Sequence, residues 1–425
     1  MKSIIGALAV AAAVIAVSAS VGAGPTAHPS RRGQSLVSDV RRAPPSPSAR
    51  TTFRPPSSHH THAHRPPRPT GRSARPATPT TAPRSTSPGT TSPPSTSGEP
   101  QTHSQPSSRG PGPGSLKAAP VGLNWVAGRT GGRVPSSVRV KVTWAELEPV
   151  RGTFSWGLID KWLSTYPPST TVTVRLFAGT STPSWVNSIV GPCVRAVSSY
   201  NRQALCVPRY WTDSFLDLYQ QLVQAIGDRY DGNPRVLMVS NAACTTAWSE
   251  PFIKGGPTVG AALAAAGDSE AGEYHCMERS MADQAAAMPH TRIDLGDNVG
   301  WQIPKPGGIE SSWPKERDLM DAFRATYGGQ FVPNYHGMAS QTSTYSGSPS
   351  AAPDLFSWMK VAGGPSNVQR GCQRKLGSAS CNDAFVIPYA IALNVCQFEL
   401  TSNGSDLSTQ QIAAFSAQLA ACPGH

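Results

Sequence analysis

The stretch VRVKVTWAELEPVRGTFSWGLIDKWLSTYPPSTTVTVRLFA, residues 138–178, decides the fold that we predict. It begins with a β-branched run from Val138 to Trp144 and ends with a second one from Thr171 to Ala178. Between them, the residues from Trp156 to Tyr166 form a helical pattern. A strand, a helix and a further strand in this order are the unit from which parallel sheets are built.

The same alternation continues along the rest of the chain. One run, Ala384 to Leu393, fits either a strand or a helix; we favour a helix because Asn382 and Asp383 can cap it, and a strand there would shift the last two units by one. With this choice we expect an α/β fold, a (β/α)8 TIM barrel over residues 119–425. The predicted strands are Val121–Val126, Val138–Trp144, Thr171–Ala178, Arg235–Asn241, Arg292–Val299, Phe331–His336, Asn367–Gly371 and Gln397–Thr401. The clearest helices are Trp156–Tyr166, Trp211–Tyr230, Trp313–Tyr327 and Ser408–Ala421.

Two segments precede the predicted barrel. Residues 1–24 combine Lys2, an apolar run from Ile4 to Val17 and then small residues, which is typical of a secretory signal peptide. The run is short for a membrane span, although an uncleaved anchor is the alternative. Residues 25–118 are rich in Pro, Ser, Thr and Arg without periodicity, and we expect a disordered linker because such a segment has little apolar surface to bury.

The positive charge of the chain lies in this linker. The segment from Pro25 to Lys117 holds 13 of the 37 basic residues and two of the 25 acidic ones, whereas residues 119–425 hold 23 of each. A balanced folded domain argues against nucleic-acid binding. The linker arginines suggest association with anionic cell-wall polymers instead, and we interpret the four histidines between residues 59 and 64 as linker composition rather than a metal site.

All eight cysteines follow residue 119, which together with the export signal predicts disulfides and a secreted protein, extracellular or cell-wall associated. A zinc site is the alternative, but the chain has no Cys-x-x-Cys spacing and no histidine pair flanks these residues. The simplest pairing joins sequence neighbours: Cys193–Cys206, Cys244–Cys276, Cys372–Cys381 and Cys396–Cys422.

The segment from Trp144 to Asp160, WAELEPVRGTFSWGLID, resembles the (β/α)8 glycoside hydrolases of the large retaining superfamily that includes β-galactosidases and endoglucanases. Further matches are Arg175 to Gly179 with Pro183 to Trp185 after the third strand, and Arg229 to Pro234 before the fourth. The resemblance extends over roughly residues 120–425. It implies hydrolysis of O-glycosidic bonds by two carboxyl groups at the carboxyl ends of the strands.

The sequence departs from the superfamily pattern at both catalytic positions. Most members carry Asn-Glu at the end of strand four, with the Glu as acid/base, whereas here Asn241 is followed by Ala242. Glu250, further along the same loop, is the nearest substitute, and we expect neighbours such as Trp248 and Phe252 to raise its pKa. The structural alternative is a loop carboxylate that binds a backbone amide. The nucleophile usually ends strand seven, but the candidate Glu399 falls on the predicted eighth strand. Either the strand count is off by one, or the site is rearranged, or activity has been lost.

Further polar and aromatic residues lie near the predicted strand ends, where buried parallel strands otherwise favour Val and Ile. Each has a structural alternative: a Trp is commonly a core residue, His336 is equally well a core histidine, and Glu399 could simply pair with Arg175. The candidate substrate-binding residues are Trp144, Trp185, Asn241, Trp248, Asp294, Asp297, Asn334 and His336.

The leading hypothesis is a secreted glycoside hydrolase that cleaves a poly- or oligosaccharide as a monomer, without a metal or other cofactor and, after signal cleavage, without a membrane segment. A catalytically inactive barrel that binds carbohydrate or cell-wall material is the first alternative. A surface protein whose barrel only displays loops to a partner is the second. Two carboxyl groups within glycosidase range in an aromatic-lined cleft would favour the hydrolase.

Overall fold

Eight parallel strands close into a barrel in the computed structural model, which describes residues 116–199, 201–251, 253–297, 300–338, 352–371, 382–401 and 403–423. The strands of the chain are β1 (Gly122–Val126), β2 (Ser137–Thr143), β3 (Thr171–Phe177), β4 (Val194–Val197), β5 (Ala204–Val207), β6 (Val236–Ser240), β7 (Arg292–Asp297), β8 (Trp301–Lys305), β9 (Gly308–Ser312), β10 (Phe331–Met338), β11 (Asn367–Arg370) and β12 (Gln397–Glu399). The barrel order is β1-β2-β3-β6-β7-β10-β11-β12, with β12 paired to β1. The predicted fold class is therefore confirmed.

Helices follow the barrel strands and surround them. They are α1 (Trp144–Leu147), α2 (Gly157–Thr165), α3 (Ser184–Val190), α4 (Asp213–Tyr230), α5 (Pro257–Ala265), α6 (Glu270–Ala287), α7 (Trp313–Tyr327), α8 (Ala352–Val361), α9 (Asp383–Ala392) and α10 (Thr409–Ala420). The ambiguous run is a helix, α9, because the Asn382 side chain caps it by accepting from the Ala384 N–H at 2.8 Å. The predicted strand count is therefore right, and Glu399 ends the eighth barrel strand.

The hydrophobic core lies between the outside of the barrel and the helices. In β2, Val138, Val140 and Val142 are buried there, and the alternate residues Ser137 and Arg139 face the barrel interior. The long helix α4 covers the strands with one apolar face. Its buried core residues are Phe215, Leu216, Leu218, Tyr219, Leu222, Val223, Ile226 and Tyr230.

The barrel interior is unusually polar, since such barrels are normally filled by branched apolar side chains. At its amino-terminal end the Asn124 amide donates to Thr173 Oγ1 at 2.9 Å and to Gln397 Oε1 at 3.3 Å, and Ser137 donates to Asn124 at 3.2 Å. Buried polar groups are costly unless hydrogen-bonded, and here they satisfy one another. These four side chains therefore form a hydrogen-bonded polar cluster at the amino-terminal end of the barrel interior.

The segment that enters the barrel crosses its amino-terminal end. The Lys117 ammonium donates to the carbonyl oxygens of Tyr230 and Val236, at 3.0 and 2.8 Å, and to Thr291 Oγ1 at 2.8 Å. Tyr230 precedes β6, Val236 is the first residue of β6, and Thr291 immediately precedes β7. Lys117 therefore joins the starts of these two neighbouring strands. The backbone of this segment is held as well, because Arg292 donates to the Lys117 carbonyl at 3.1 Å.

We expect Lys117→Met to destabilise the barrel by about 1–3 kcal/mol, because hydrogen bonds from a charged donor are lost and two carbonyl groups lose a partner. The measurement is chemical denaturation of the whole protein. Lys161→Met is the matched control, since Lys161 is an exposed lysine on α2 that stands over the Trp162 ring. Equal midpoints for the two variants would contradict the structural role of Lys117.

Candidate active site

Glu399 is held by four donors inside the barrel. Its Oε2 forms ion pairs with Arg139 and Arg175, and its Oε1 accepts from Asn367 at 2.8 Å and from Asn334 at 3.4 Å. Only 1% of its surface is exposed. Burial alone would raise the pKa of Glu399, but the two arginines outweigh burial and lower that pKa to about 2. Glu399 is therefore ionised at neutral pH and fixed in one position.

The donors come from different strands, and the barrel register brings them together. Glu399 pairs along the backbone with Gln369 of β11, whose side-chain oxygen accepts from Arg139 at 3.1 Å and from Arg175 at 2.5 Å. Gln369 thus fixes both guanidinium groups beside the carboxylate. Arg139, Asn367 and Gln369 were not predicted as site residues. The alternation of Arg139 with Val138 and Val140 is the signal that could have identified the first of them.

A second carboxylate is linked to Glu399 through two side chains. His336 Nδ1 lies 2.7 Å from Glu250 Oε1, and His336 Nε2 lies 2.7 Å from Arg175 Nη2, which also contacts Glu399. A guanidinium group can only donate hydrogen bonds. His336 Nε2 must therefore accept, so the ring is neutral and its Nδ1–H donates to Glu250. The structure thus joins Glu250, His336, Arg175 and Glu399 in one network.

Glu250 has one oxygen in this network and one outside it. Among the described residues, Oε2 is buried and has no hydrogen-bond partner. Burial would raise the pKa of Glu250, but the hydrogen bond from His336 and the positive charges of Lys254 and Arg175 lower it. The predicted rise of this pKa is therefore wrong, because positive and hydrogen-bonding groups surround the carboxylate. Glu250 is ionised at neutral pH, and one of its oxygens is buried without a hydrogen-bond partner among the described residues.

Trp248 does not cover Glu250. Its side chain is 54% exposed, and the Lys254 ammonium lies 4.9 Å from the centroid of its ring. The backbone of Trp248 has a φ of 67°, a left-handed conformation that bulky residues rarely adopt. Such strain persists only where the surrounding loop imposes it. The loop therefore holds the Trp248 indole in a largely exposed position, two residues before Glu250 in the sequence. An exposed indole in this position could stack on a ligand.

Asp294 is a third carboxyl group of the polar interior. It is 2% exposed, and Ser240 donates to its Oδ2 at 2.7 Å. Its Oδ1 is buried without a partner among the described residues. Burial and the nearby negative charge of Glu399 raise the pKa of Asp294. Of the three carboxyl groups, Asp294 is the one that most readily takes up a proton.

Two candidate residues point away from this network. Trp144 is fully buried in the outer core, edge-on to Trp185, and its Nε1 donates to Glu148 at 2.8 Å, so it has no face for a ligand. Asn241 is also fully buried, and its amide donates to Ser280 of α6 at 3.1 Å. We therefore remove Trp144 and Asn241 from the candidate site, because both serve packing between the barrel and its helices.

The remaining candidates divide into two groups. Asn334 and His336 lie in the network beside Glu399 and Glu250. Trp185 is partly exposed and donates to the Glu148 carbonyl at 3.1 Å, so the structure orients its ring without placing it in the network. Asp297 ends β7, and its side chain lies outside the described residues.

Three disulfides are present among the described residues, and two of them hold loops at the carboxyl ends of the strands. Cys193–Cys206 closes the β4–β5 hairpin, with Cα atoms 5.3 Å apart, and Cys244–Cys276 joins the Glu250 loop to α6, with Cα atoms 5.9 Å apart. Cys396–Cys422 joins the start of β12 to the end of α10. These three predicted pairs are confirmed. The fourth, Cys372–Cys381, lies outside the described residues.

Two kinds of feature, a metal-binding group of side chains and a membrane-spanning helix, are absent from the residues that the structure describes. Within them, no three His, Cys, Asp or Glu side chains are grouped so that they could hold a metal ion. In the same ranges, no helix has the length and apolar character that crossing a bilayer requires.

Comparison with known proteins adds backbone likeness only. No protein family matches the chain by sequence, and no curated protein does. Among solved structures, endo-glycoceramidase II from Rhodococcus sp. in an iminocyclitol complex is 12% identical, with 71% of this chain and 79% of that chain covered and a TM-score of 0.40. The catalytic domain of the major endoglucanase from Xanthomonas campestris pv. campestris is 14% identical, with 67% and 84% covered and a TM-score of 0.38. Likeness at this level does not assign an activity, so function has to be argued from the site.

Proposed function

We propose that this protein is a glycoside hydrolase that cleaves O-glycosidic bonds of a poly- or oligosaccharide at the carboxyl end of its barrel. The observation that carries the proposal is the hydrogen-bonded link from Glu250 through His336 and Arg175 to Glu399. It brings two carboxylates from distant parts of the chain to one end of the barrel, and glycoside hydrolysis depends on such a pair. The resemblance of residues 144–160 to glycosidases points to the same reaction.

The two carboxylates suit different roles. Glu250 is the candidate acid/base because its Oε2 has no partner among the described residues, and this buried oxygen would face the glycosidic oxygen once a bound substrate opens the site. A proton on Oε2 would pass to that oxygen while the bond to the anomeric carbon breaks. In the retaining route, Glu250 would afterwards take a proton from the attacking water. His336 positions Glu250 through its Nδ1–H and needs no change of charge to do so.

Glu399 is the candidate nucleophile or base because its four donors keep it ionised. A carboxylate has about four lone-pair sites, so one donor must withdraw before Glu399 forms a new bond. Asn334, at 3.4 Å, makes the longest of these contacts and is the donor that most easily yields. If Glu399 bonds to the anomeric carbon, water later displaces it and the configuration is retained. If it deprotonates a water instead, the configuration is inverted.

The proposal includes the setting of the enzyme. The signal-like residues 1–24 and the three disulfides support secretion. The basic linker, residues 25–118, supports association with anionic wall material. Removal of the signal peptide, residues 1–24, would leave a monomeric enzyme that its basic linker, residues 25–118, holds to the wall material.

The experiment that tests the function is a screen of the purified protein against aryl glycosides and polysaccharides, with release of reducing ends as the readout. We expect turnover of at least one substrate, and NMR of the first product will show whether its configuration is retained or inverted. Binding of a saccharide without turnover of any substrate would contradict hydrolysis and assign the catalytically inactive barrel instead.

A further inference from the structure

Two carboxyl groups meet at one hydroxyl group where α6 begins. The Tyr210 hydroxyl oxygen lies 2.6 Å from Glu273 Oε1 and 3.2 Å from Asp268 Oδ2. Asp268 directly precedes Ser269, the N-cap residue of α6, and Glu273 lies in the first turn of that helix. At most 4% of the surface of Tyr210, Asp268 and Glu273 is exposed. These three side chains, here called the Tyr210 triad, lie outside the carboxylate network of the candidate active site.

The contacts within the Tyr210 triad require a proton on one of its carboxyl groups. A tyrosine hydroxyl has one proton, so it donates fully to only one carboxylate. The other carboxyl group is satisfied when it is protonated, because it then donates to the phenolic oxygen or to the first carboxylate. Two ionised carboxylates this close in a dry environment repel each other, so such pairs hold a proton between them. That proton belongs to the pair rather than to either residue.

Neither carboxyl group of the triad has a basic partner among the described residues. Asp268 Oδ1 accepts from the uncharged Ser269 N–H at 2.8 Å. Burial outweighs the hydrogen bonds and raises the pKa of Asp268 to about 6, and burial and the nearby Asp268 charge raise the pKa of Glu273. Charged groups on the surrounding elements have partners of their own: Arg209 with the Ala266 carbonyl, Asp213 with His275, Asp217 with Arg279, Glu270 with Lys315, and Lys305 with Glu310.

The turn that contains Glu273 is joined to the loop that carries Glu250. Cys276 lies three residues after Glu273 in α6 and forms the disulfide with Cys244. Cys244 in turn lies six residues before Glu250. A shift of the first turn of α6 would therefore be transmitted through a covalent bond to the loop of the proposed acid/base.

The first turn of α6 has little room in which to relax. A Cβ atom added at Gly272 would lie 2.9 Å from Asp268 Oδ1 and 3.2 Å from Trp211 Cβ, so the backbone of the turn is packed closely on both. Closely packed interiors transmit strain rather than absorb it. Repulsion between Asp268 and Glu273 would therefore move the turn as a whole.

We propose that the Tyr210 triad is a proton-dependent latch, which fixes the start of α6 in acid and weakens as the pH rises and the pair loses its shared proton to water. Through the Cys244–Cys276 disulfide, the latch also holds the loop of Glu250 in position. The latch itself stands on the buried triad, whereas its effect on catalysis rests on the proposed function. It would regulate the site by pH without contacting the substrate.

The direction of the effect follows from the raised values. The ordinary pKa values are 3.8 for Asp268 and 4.5 for Glu273, and both folded values are higher. A raised carboxyl pKa contributes stability that is fully present below the unfolded value and is lost as pH rises through the folded value. The contribution of the latch is therefore complete below about pH 4 and declines through about pH 6 and above.

The test is chemical denaturation of the whole protein from about pH 4.5 to about pH 8, with Asp268→Asn and Glu273→Gln beside the unchanged protein. An amide takes the place of a protonated carboxyl group and keeps its N–H groups at every pH. Relative to the unchanged protein, the folding equilibrium constant of each variant should gain at least about tenfold from the acid end to the alkaline end of this range. Glu278→Gln, an exposed change on α6, is the matched control and should follow the unchanged protein.

Two measurements on the unchanged protein test the latch even if a variant does not fold. In carbon-13 NMR spectra of the carboxyl groups, at least one group of the pair should titrate well above the ordinary range. After correction for intrinsic exchange rates, hydrogen exchange should show that residues 244–250 and 270–276 lose protection together as the pH rises.

Three results would each overturn the proposal. They are ordinary titration of both carboxyl groups, the same pH dependence of stability in both amide variants as in the unchanged protein, and a loss of protection confined to α6. None of these readouts depends on turnover. A protein that shows the latch but hydrolyses no saccharide would therefore contradict the proposed function alone.

Discussion

Glu399→Gln should destabilise the barrel strongly, whereas Glu250→Gln should destabilise it much less. Glu399 forms ion pairs with both Arg139 and Arg175 inside the barrel, and an amide would leave both guanidinium groups without this ion-pair partner. Removing one partner of a buried ion pair costs about 3–5 kcal/mol. Glu250 instead makes one hydrogen bond with a neutral ring, and the Gln oxygen can still accept from His336 Nδ1.

The same two variants should each lower kcat/KM by about 10²–10⁴, the usual contribution of an acid/base or nucleophilic group. Denaturation midpoints and kinetic constants of the same purified variants measure both effects, with Glu278→Gln on the exposed side of α6 as the matched control.

The double variant Arg139→Met/Glu399→Gln should be destabilised by less than the sum of the effects of its two single changes, because it removes charges of both signs. Unchanged stability in Glu399→Gln would contradict the ion-pair assignment.

Activity should rise as the pH falls from 7 towards 4.5. The proposed acid, Glu250, must carry a proton, but its pKa is about 2. Its protonated fraction therefore falls about tenfold for each pH unit above that value and rises again as the pH is lowered. We expect log kcat/KM to change with pH in proportion to this protonated fraction, with a slope near −1 between pH 7 and pH 4.5. Lys254→Met should shift the profile to higher pH, because Lys254 helps to lower the pKa of Glu250. Activity that is flat or declines on acidification to pH 4.5 would remove Glu250 from the acid role.

The fold should tolerate this acidification. Glu250 and Glu399 have folded-state pKa values of about 2, below the ordinary value of 4.5. A depressed carboxyl pKa contributes stability that is fully present above the unfolded value and is lost as pH falls through the folded value. Their contribution is therefore kept down to about pH 4.5 and lost between there and about pH 2. The change in activity between pH 7 and pH 4.5 can thus be measured while the protein stays folded.

The strands were predictable because local patterns determine them. Val138, Val140 and Val142 alternate with polar residues as a strand covered on one face requires, and the cap at Asn382 identifies α9. Together these signals placed Glu399 on the eighth barrel strand.

The chemistry of the site was less predictable because it depends on partners that are distant in sequence. The pKa of Glu250 was judged from Trp248, two residues away, whereas His336, 86 residues away, is in direct contact with it. Gln369 gave no signal of its own, since only the register of β11 with β12 sets it beside Glu399. Local sequence therefore predicts which side chains face inward, but not which of them meet.

Lys117 lies at the end of the barrel that is remote from the candidate site. Its ammonium group is bound at the starts of β6 and β7, while the carboxylates lie at the opposite ends of the strands. For the same reason, a tag or carrier fused ahead of Lys117 should leave substrate access unobstructed, so that immobilised protein would keep its activity.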